Sequence, residues 1–391
     1  MTHDPSVWRV LGDGHGGPLV APTGIGVLDG ETVAVKDLFA VAGQRVGAGN
    51  PAWLAAAPVA AAHADAVARL LGAGAAVAGI AQTEEFAYSL TGANAHYGTP
   101  PNPRAQGRIS GGSTSGPATA VAGGEATIAL GTDTGGSVRV PAAYQGLWGI
   151  RPTHGAVPAG GLLPLAPSFD TVGWLTRDAA LLARAGEVLL PPDTSAPTGP
   201  FLVSDDLLGL AEPEVSAAVG QVAGAVPAGR DVRSVAWLPE PGWLAAFQTL
   251  QAAEAWQVHG AWLADRMDTL GPAVRGRFER ARAITAAEAE EARSAVARAR
   301  ATIRERLGDG VLVLPSTSSP APRADDPGAF DAVRQATMLL TCVAGIGGLP
   351  AVNVPVETTS GLPAGACLVG PAGSDRALIA LAASLGQGSA R

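Results

Sequence analysis

The chain is 391 residues long, with 47% hydrophobic residues, 15% charged residues and a formal net charge of −8. That length can bury a large core, the apolar content excludes disorder over most of the chain, and the acidity argues against nucleic acid or an anionic membrane surface as partner. Two cysteines, Cys342 and Cys367, lie in apolar C-terminal segments and read as reduced core thiols; no C-x-x-C or H-E-x-x-H spacing occurs, so neither a metal nor a cofactor is expected. The N-terminus, M-T-H-D-P, has an early acid and no apolar run, unlike a secretory signal. The run from Met338 to Val356 is weakly apolar, and its Gly, Pro and Asn content suits buried strands and turns better than a membrane span. Cytoplasm is the expected location.

Residues 1–26, rich in Gly and Pro, predict an irregular lead-in. Glu31–Leu38 alternates as a strand and Gly43–Pro51 reads as loop. Ala61–Leu71 predicts a helix with Val67, Leu70 and Leu71 on one side, closed by Gly72, and Ala75–Ala81 a buried strand, which together form a β–helix–β unit of a mixed or parallel sheet. Thr83–Leu90 is expected as a short helix, and Thr91–Pro103 as a polar, aromatic loop. Ser110–Pro141 then contains two Gly/Ser turns, each ahead of a predicted helix, separated by a small-residue helix (Pro117–Ala122) and a strand (Ala126–Leu130). Glycines at 111, 112, 135 and 136 allow neighbouring N–H groups to converge. A helix beginning near Ser137 would add its positive dipole end to the same point. Hydroxyls at Ser113, Ser115 and Ser137 stand in these turns, a setting suited to attack by a serine on a carbonyl.

Leu147–Pro152 reads as strand then turn, and Pro158–Asp170 as a long loop before a strand at Val172–Leu175. Pro191–Pro200 is the clearest break in composition. Leu244–Trp262 predicts a helix. Thr285-Ala-Ala-Glu288 has capping-box spacing and opens a helix through Leu307, its stripe formed by Ala292, Val296, Ala299, Ile303 and Leu307. Trp237, Trp243, Trp256 and Trp262 are candidates for an aromatic pocket, with ordinary packing the expected fate of most. Val311–Leu314 is a short buried strand, Leu339–Val356 and Gly361–Pro371 read as closing strands, and Asp375–Leu385 as a final helix.

A nucleophilic serine needs a base. Of the 26 Lys+Arg residues 25 are arginine, leaving Lys36 in T-V-A-V-K-D-L-F as the one lysine. Arginine keeps its proton in proteins, whereas a desolvated lysine can become neutral and accept one. A surface lysine or an ion pair with Asp37 is the alternative; apolar flanks favour burial and a catalytic role. His96 sits in a loop and is set aside as a base, and no other histidine has a partnering motif.

G-G-S-T-S-G followed by G-T-D-T-G-G-S-V-R-V-P-A resembles the amidase signature family, with Lys36 in the matching strand-end position and 24 positions between Ser113 and Ser137. The resemblance covers residues 30–190 strongly and 310–385 moderately. It implies an α/β fold, a large mixed β-sheet covered by helices on both faces, in one domain over 1–391 whose variable, mostly helical region is 200–310. It further implies Ser137 as nucleophile, Ser113 as a bridging serine held by a cis peptide, Lys36 as base, and an oxyanion hole from the N–H groups of Thr134, Gly135, Gly136 and Ser137. Thr114 stands where many relatives have a supporting serine, and Ser115-Gly116-Pro117 where relatives often carry Gly-Gly-Ser. Asp133 and Arg139 are assigned to holding the loop, and Phe169 and Asp170 are expected near the site. The N-A-H-Y-G-T-P stretch is similar to one in plant indole-3-acetamide hydrolases. The implied activity is therefore hydrolysis of a small carboxamide, such as an arylacetamide, with a homodimer as the family-level state. Rival readings are an allophanate- or carboxybiuret-type hydrolase, an amidotransferase glutaminase subunit, and a non-catalytic binding module. The first would need a cluster of basic residues for a second carboxylate, and none is evident outside the core motifs.

Overall fold

A computed structural model describes residues 3–12, 15, 17–226, 229–237 and 239–386. In chain order the strands among these residues are Trp8–Leu11 (β1), Thr32–Lys36 (β2), Ala76–Ala81 (β3), Ile128–Asp133 (β4), Trp148–Arg151 (β5), Thr171–Thr176 (β6), Phe201–Val203 (β7), Val232–Ser234 (β8), Val311–Pro315 (β9), Ala351–Glu357 (β10) and Pro363–Val369 (β11). They form one sheet in the order β1-β3-β2-β4-β6-β5-β10-β11-β9-β7-β8. β2 pairs in parallel with both β3 and β4, and β7 with both β8 and β9, while the remaining pairs are antiparallel. The fold is thus the mixed α/β sheet that the sequence implies.

Side chains alternate across the pleat, so each strand feeds two cores. Val33 and Val35 of β2, with Val311 and Val313 of β9, pack under the helices Asp65–Gly72, Ala179–Leu189, Pro213–Gly224 and Asp375–Gly386. Leu312 and Leu314 point the other way, into a core shared with the helices Trp243–Leu263, Pro272–Ala283, Ala286–Leu307 and Phe330–Gly347. Ala34 and Ala129 share that second face with the helix Ser115–Ala122. By parity with Ala34, Lys36 emerges on it too. The capping box at Thr285 and Glu288 is present, and all five residues of the expected stripe are buried.

Several expectations give way. Thr83–Leu90 is not a helix: only Glu85–Ala87 form a 3₁₀ turn, with Phe86 at φ 50° and Ala87 at φ 57°. The buried Glu85 carboxylate accepts from Asn50 Nδ2 and Gly271 N–H, which ties the turn to distant segments and stops it propagating. The helix expected at Ala61–Leu71 begins at Asp65, because Ala64 N–H is spent on Ala40 O in an extended segment. The strand expected at Ala126–Leu130 runs instead over Ile128–Asp133, since Asp133 finds buried donors and need not end it. The helix expected from Pro117 starts at Ser115; proline is tolerated in a first turn whose N–H groups lack intrahelical partners. The first half of the expected Leu339–Val356 strand is the end of the Phe330–Gly347 helix, closed by Gly348 at φ 61°. Residues 340–347 are buried all round, so no one-sided stripe distinguishes helix from strand there. The helices Pro51–Ala56, Ala179–Leu189, Pro213–Gly224 and Pro272–Ala283 are additions to the sequence reading.

Ile303 is fully buried, and its Cγ2 would lie 3.1 Å from a Cβ added at Gly347. Ile303→Ala is expected to lower unfolding free energy by about 2–5 kcal/mol, and exposed Glu305→Gln to change it by less than about 0.5 kcal/mol, both read from urea midpoints.

Candidate active site

The amine of Lys36 is the centre of the site. It is fully buried at the end of β2 and lies 2.8 Å from Ser113 Oγ, 2.8 Å from Thr132 Oγ1 and 3.2 Å from Thr114 Oγ1, hydrogen-bonded to each. Thr114 fits there because β4 carries a glycine opposite it: a Cβ on Gly131 would stand 2.3 Å from Thr114 Cγ2 and 2.6 Å from its Oγ1. The Thr114 hydroxyl donates to Thr132 O at 3.3 Å, so toward Lys36 it can only accept. Burial pulls the Lys36 pKa down to about 7, against the charges of Glu84, Asp133 and Asp170, which pull it up. Ser113 follows a cis Gly112–Ser113 peptide, and its carbonyl accepts from Thr83 Oγ1 at 2.9 Å.

Ser137 stands on a turn built around Asp133. The Asp133 carboxylate accepts from Gly136 N–H at 2.9 Å, Val138 N–H at 3.2 Å and Arg139 N–H at 3.3 Å, and from the Arg139 side chain at 3.0 and 2.9 Å. Arg151 adds a bond at 3.1 Å to the same carboxylate. Burial opposes ionisation of Asp133, yet Arg139 and Arg151 hold its carboxyl far below the usual range. The helix beyond Ser137, Arg139–Tyr144, therefore has its N-terminal end filled by Asp133. The dipole end expected to face a developing charge is occupied. Gly136, expected as an oxyanion donor, likewise has its N–H engaged by Asp133; its φ of 124° is one only glycine adopts easily. The N–H groups of Thr134, Gly135 and Ser137 have no partner among the described residues. The carbonyls of Asp133 and Thr134 accept from Arg151, and that of Gly135 accepts from Thr341 Oγ1 at 2.7 Å. Thr134 Oγ1 donates to Asp170 Oδ1 at 2.5 Å.

Ser137, Thr134 and Gly135 open onto a recess of about 290 Å³ whose other walls include Tyr88, Gln251 and Met338. None of the four candidate tryptophans lines it. Thr114 N–H donates to Ser137 O at 3.2 Å, joining the two turns, but the Ser113 and Ser137 hydroxyls are not hydrogen-bonded to each other in this structure. Ser115 begins its helix without a bond to Lys36 or Ser137. His96 Nε2 lies 2.8 Å from Glu85 Oε1, holding a loop rather than facing Lys36. Thr132, Arg151, Thr341 and Glu84 were not legible as parts of this site. Arg151 carries the one available hint, since a buried loop carboxylate paired to a single arginine still has lone pairs to fill.

The sequence profile of the Amidase family matches residues 22–254. The chain belongs to this family. It is an amidohydrolase acting on C–N amide bonds. It is 37% identical to Amidase 1 of Arabidopsis thaliana across 92% of this chain and 93% of that protein. It is 31% identical to Translocon at the outer membrane of chloroplasts 64 of Pisum sativum, across 88% of this chain but 64% of that protein. A crystal structure of an amidase superposes with a TM-score of 0.86 at 30% identity, covering 99% of this chain and 92% of that one. Among the described residues no helix is long and apolar enough to cross a membrane.

Gly131→Ala drives a methyl group into Thr114 and displaces its hydroxyl from Lys36. A site whose geometry moves by about 1 Å is expected to lose on the order of 100-fold in kcat/KM, measured as ammonia release, with the far-UV circular dichroism spectrum unchanged.

Proposed function

We propose that the chain hydrolyses a small primary carboxamide through an acyl-enzyme on Ser137, with Ser113 and Lys36 completing a Ser–cisSer–Lys triad. The observation that carries this reading is the buried Lys36 amine among three hydroxyls. A neutral amine has two N–H donors and one lone pair. Thr114 and Thr132 take the two donors, which leaves the lone pair for the Ser113 O–H. Lys36 then takes the Ser113 proton as Ser113 takes that of Ser137, whose oxygen attacks the carbonyl carbon. The relay reversed protonates the departing nitrogen, the C–N bond breaks and ammonia leaves; water repeats the sequence on the ester and frees the acid. The outer link, Ser113 to Ser137, closes when substrate brings the Ser137 hydroxyl into line, as catalytic bonds that are open in free enzymes commonly do. The unpartnered N–H groups of Thr134, Gly135 and Ser137 are the donors for the oxyanion, each such donor being worth about 3–4 kcal/mol. Asp133, Arg139 and Arg151 hold that turn and move no proton.

The whole of 1–391 is read as one amidase domain, its segment 200–310 covering the sheet and walling the recess. Among the described residues Tyr88 is the one aromatic side chain lining the recess, and it supports an arylacetamide as a first substrate to test.

Ser137→Ala is expected to abolish both turnover and fluorophosphonate labelling while thermal unfolding is unchanged. Lys36→Arg keeps the charge and removes the basicity, and should be nearly as inactive; retained activity would refute the assignment of the base. For the wild type, kcat/KM rises with pH through an acid limb centred near 7, because protonated Lys36 cannot accept the serine proton.

A further inference from the structure

Next to the recess, and sharing Tyr88, Gln251 and Arg334 with it, lies a vestibule of about 570 Å³ whose walls add Arg277 and Arg280. Arg277 and Arg280 come from the Pro272–Ala283 helix and Arg334 from the Phe330–Gly347 helix, far apart in sequence. Arg334 lines the recess of Ser137 as well as the vestibule. This is the basic cluster that could not be seen in the sequence, because the fold alone brings the two helices together.

The three guanidiniums are in unusual company. Among the described residues none of them makes a salt bridge. Arg277 donates to Tyr88 O, whereas among the described residues the Arg334 and Arg280 side chains have no hydrogen-bond partner, and Arg334 Nε is buried. The acids within electrostatic reach are Asp331, which is exposed, and Glu84, whose carboxyl burial pushes up toward its neutral form. Burial and Arg277 pull the Arg334 pKa down to about 10, which reports a like charge close by. Among the described residues the Gln251 amide and the Tyr88 hydroxyl also find no hydrogen-bond partner, although both residues are largely buried. Grouping like charges and unpaired donors beside a reaction site is costly unless a ligand supplies the missing acceptors and the opposite charge.

We propose that the vestibule binds a carboxylate, so that the substrate is an amide carrying a second, anionic end: a half-amide of a dicarboxylic acid. The amide carbonyl lies at Ser137 and the far carboxylate at Arg334, with Arg277 behind it and Gln251 and Tyr88 as further donors. Arginine suits this role because its planar fork matches a carboxylate and never loses its charge. The reaction remains the hydrolysis proposed above and rests on that reading: the C–N bond breaks, a water oxygen ends on the carbonyl carbon, ammonia leaves, and the product is a dicarboxylate. The first choice of substrate moves accordingly from a neutral arylacetamide to an acidic amide.

The test compares kcat/KM of the wild type on pairs matched in carbon number: succinamate with butanamide, glutaramate with pentanamide, and adipamate with hexanamide. At least one carboxylate member is expected to exceed its neutral partner by about 10–100-fold, the range of a hydrogen-bonded charge. R334Q should bring that ratio toward one, and R334K should retain part of it. Glutarate should slow fluorophosphonate labelling of Ser137 in the wild type, an arm that depends on no variant. The inference is overturned if Ser137 is labelled and neutral amides react as well as their acidic partners, or if R334Q leaves the ratio unchanged. If Ser137 is not labelled and no amide of either kind is hydrolysed, the amidase reading itself has failed.

Discussion

A primary amine held out of water is the constraint on which the site depends. Lys36 occupies a position where its charge has no solvent and no hydrogen-bonded carboxylate, so the ammonium form loses hydration that nothing nearby replaces. Its partners are hydroxyls, which serve a neutral amine as well as they serve a cation. Asp133, one of the charges that would favour the cation, is itself neutralised by two arginines. Glu84 is pushed toward its protonated form by its own burial, which weakens its pull on Lys36. Glu84, Asp133 and Asp170 still favour the proton on the amine, and burial outweighs the three together.

A second constraint acts on the Ser137 turn. Asp133 gathers three backbone N–H groups and two guanidiniums onto one carboxylate, and Arg151 and Thr341 fasten the carbonyls of residues 133–135. With the carbonyls tied back, the N–H groups of Thr134, Gly135 and Ser137, residues that line the recess, have no partner among the described residues. Preorganisation here is a matter of which atoms are already spent. The Gly136 N–H and the helix end beyond Ser137 are spent on Asp133, so the oxyanion donors proposed above reduce to three amides.

The strands were legible where an alternating or short apolar run is bounded by turn residues: β2, β3, β5, β6 and β9 lie within a residue or two of expectation, as does the Thr285–Leu307 helix, whose one-sided stripe is the pattern a sequence shows best. The fold class and the Ser/Gly turns were legible through the resemblance. What could not be read shares a physical cause. The Phe330–Gly347 helix is buried on every side near its end, so its pattern is uniform. The turn at Glu85–Ala87 is set by the Glu85 carboxylate, which reaches Asn50 and Gly271 far away in the chain. Thr132, Arg151 and Thr341 gain meaning only once three strands and a helix meet. The arginines of the vestibule look like ordinary solvated charges along two separate helices until those helices pack together.

The presence of one lysine makes the central claim directly measurable. Protein grown with 15N- and 13C-labelled lysine gives a single side-chain NMR signal, that of Lys36, and its chemical shift can be followed with pH in the free enzyme. A midpoint near 7 is the result predicted by the buried amine. A midpoint near the ordinary lysine value of about 10.4 would show a charged amine at neutral pH, and the proton relay built on it would have no starting base.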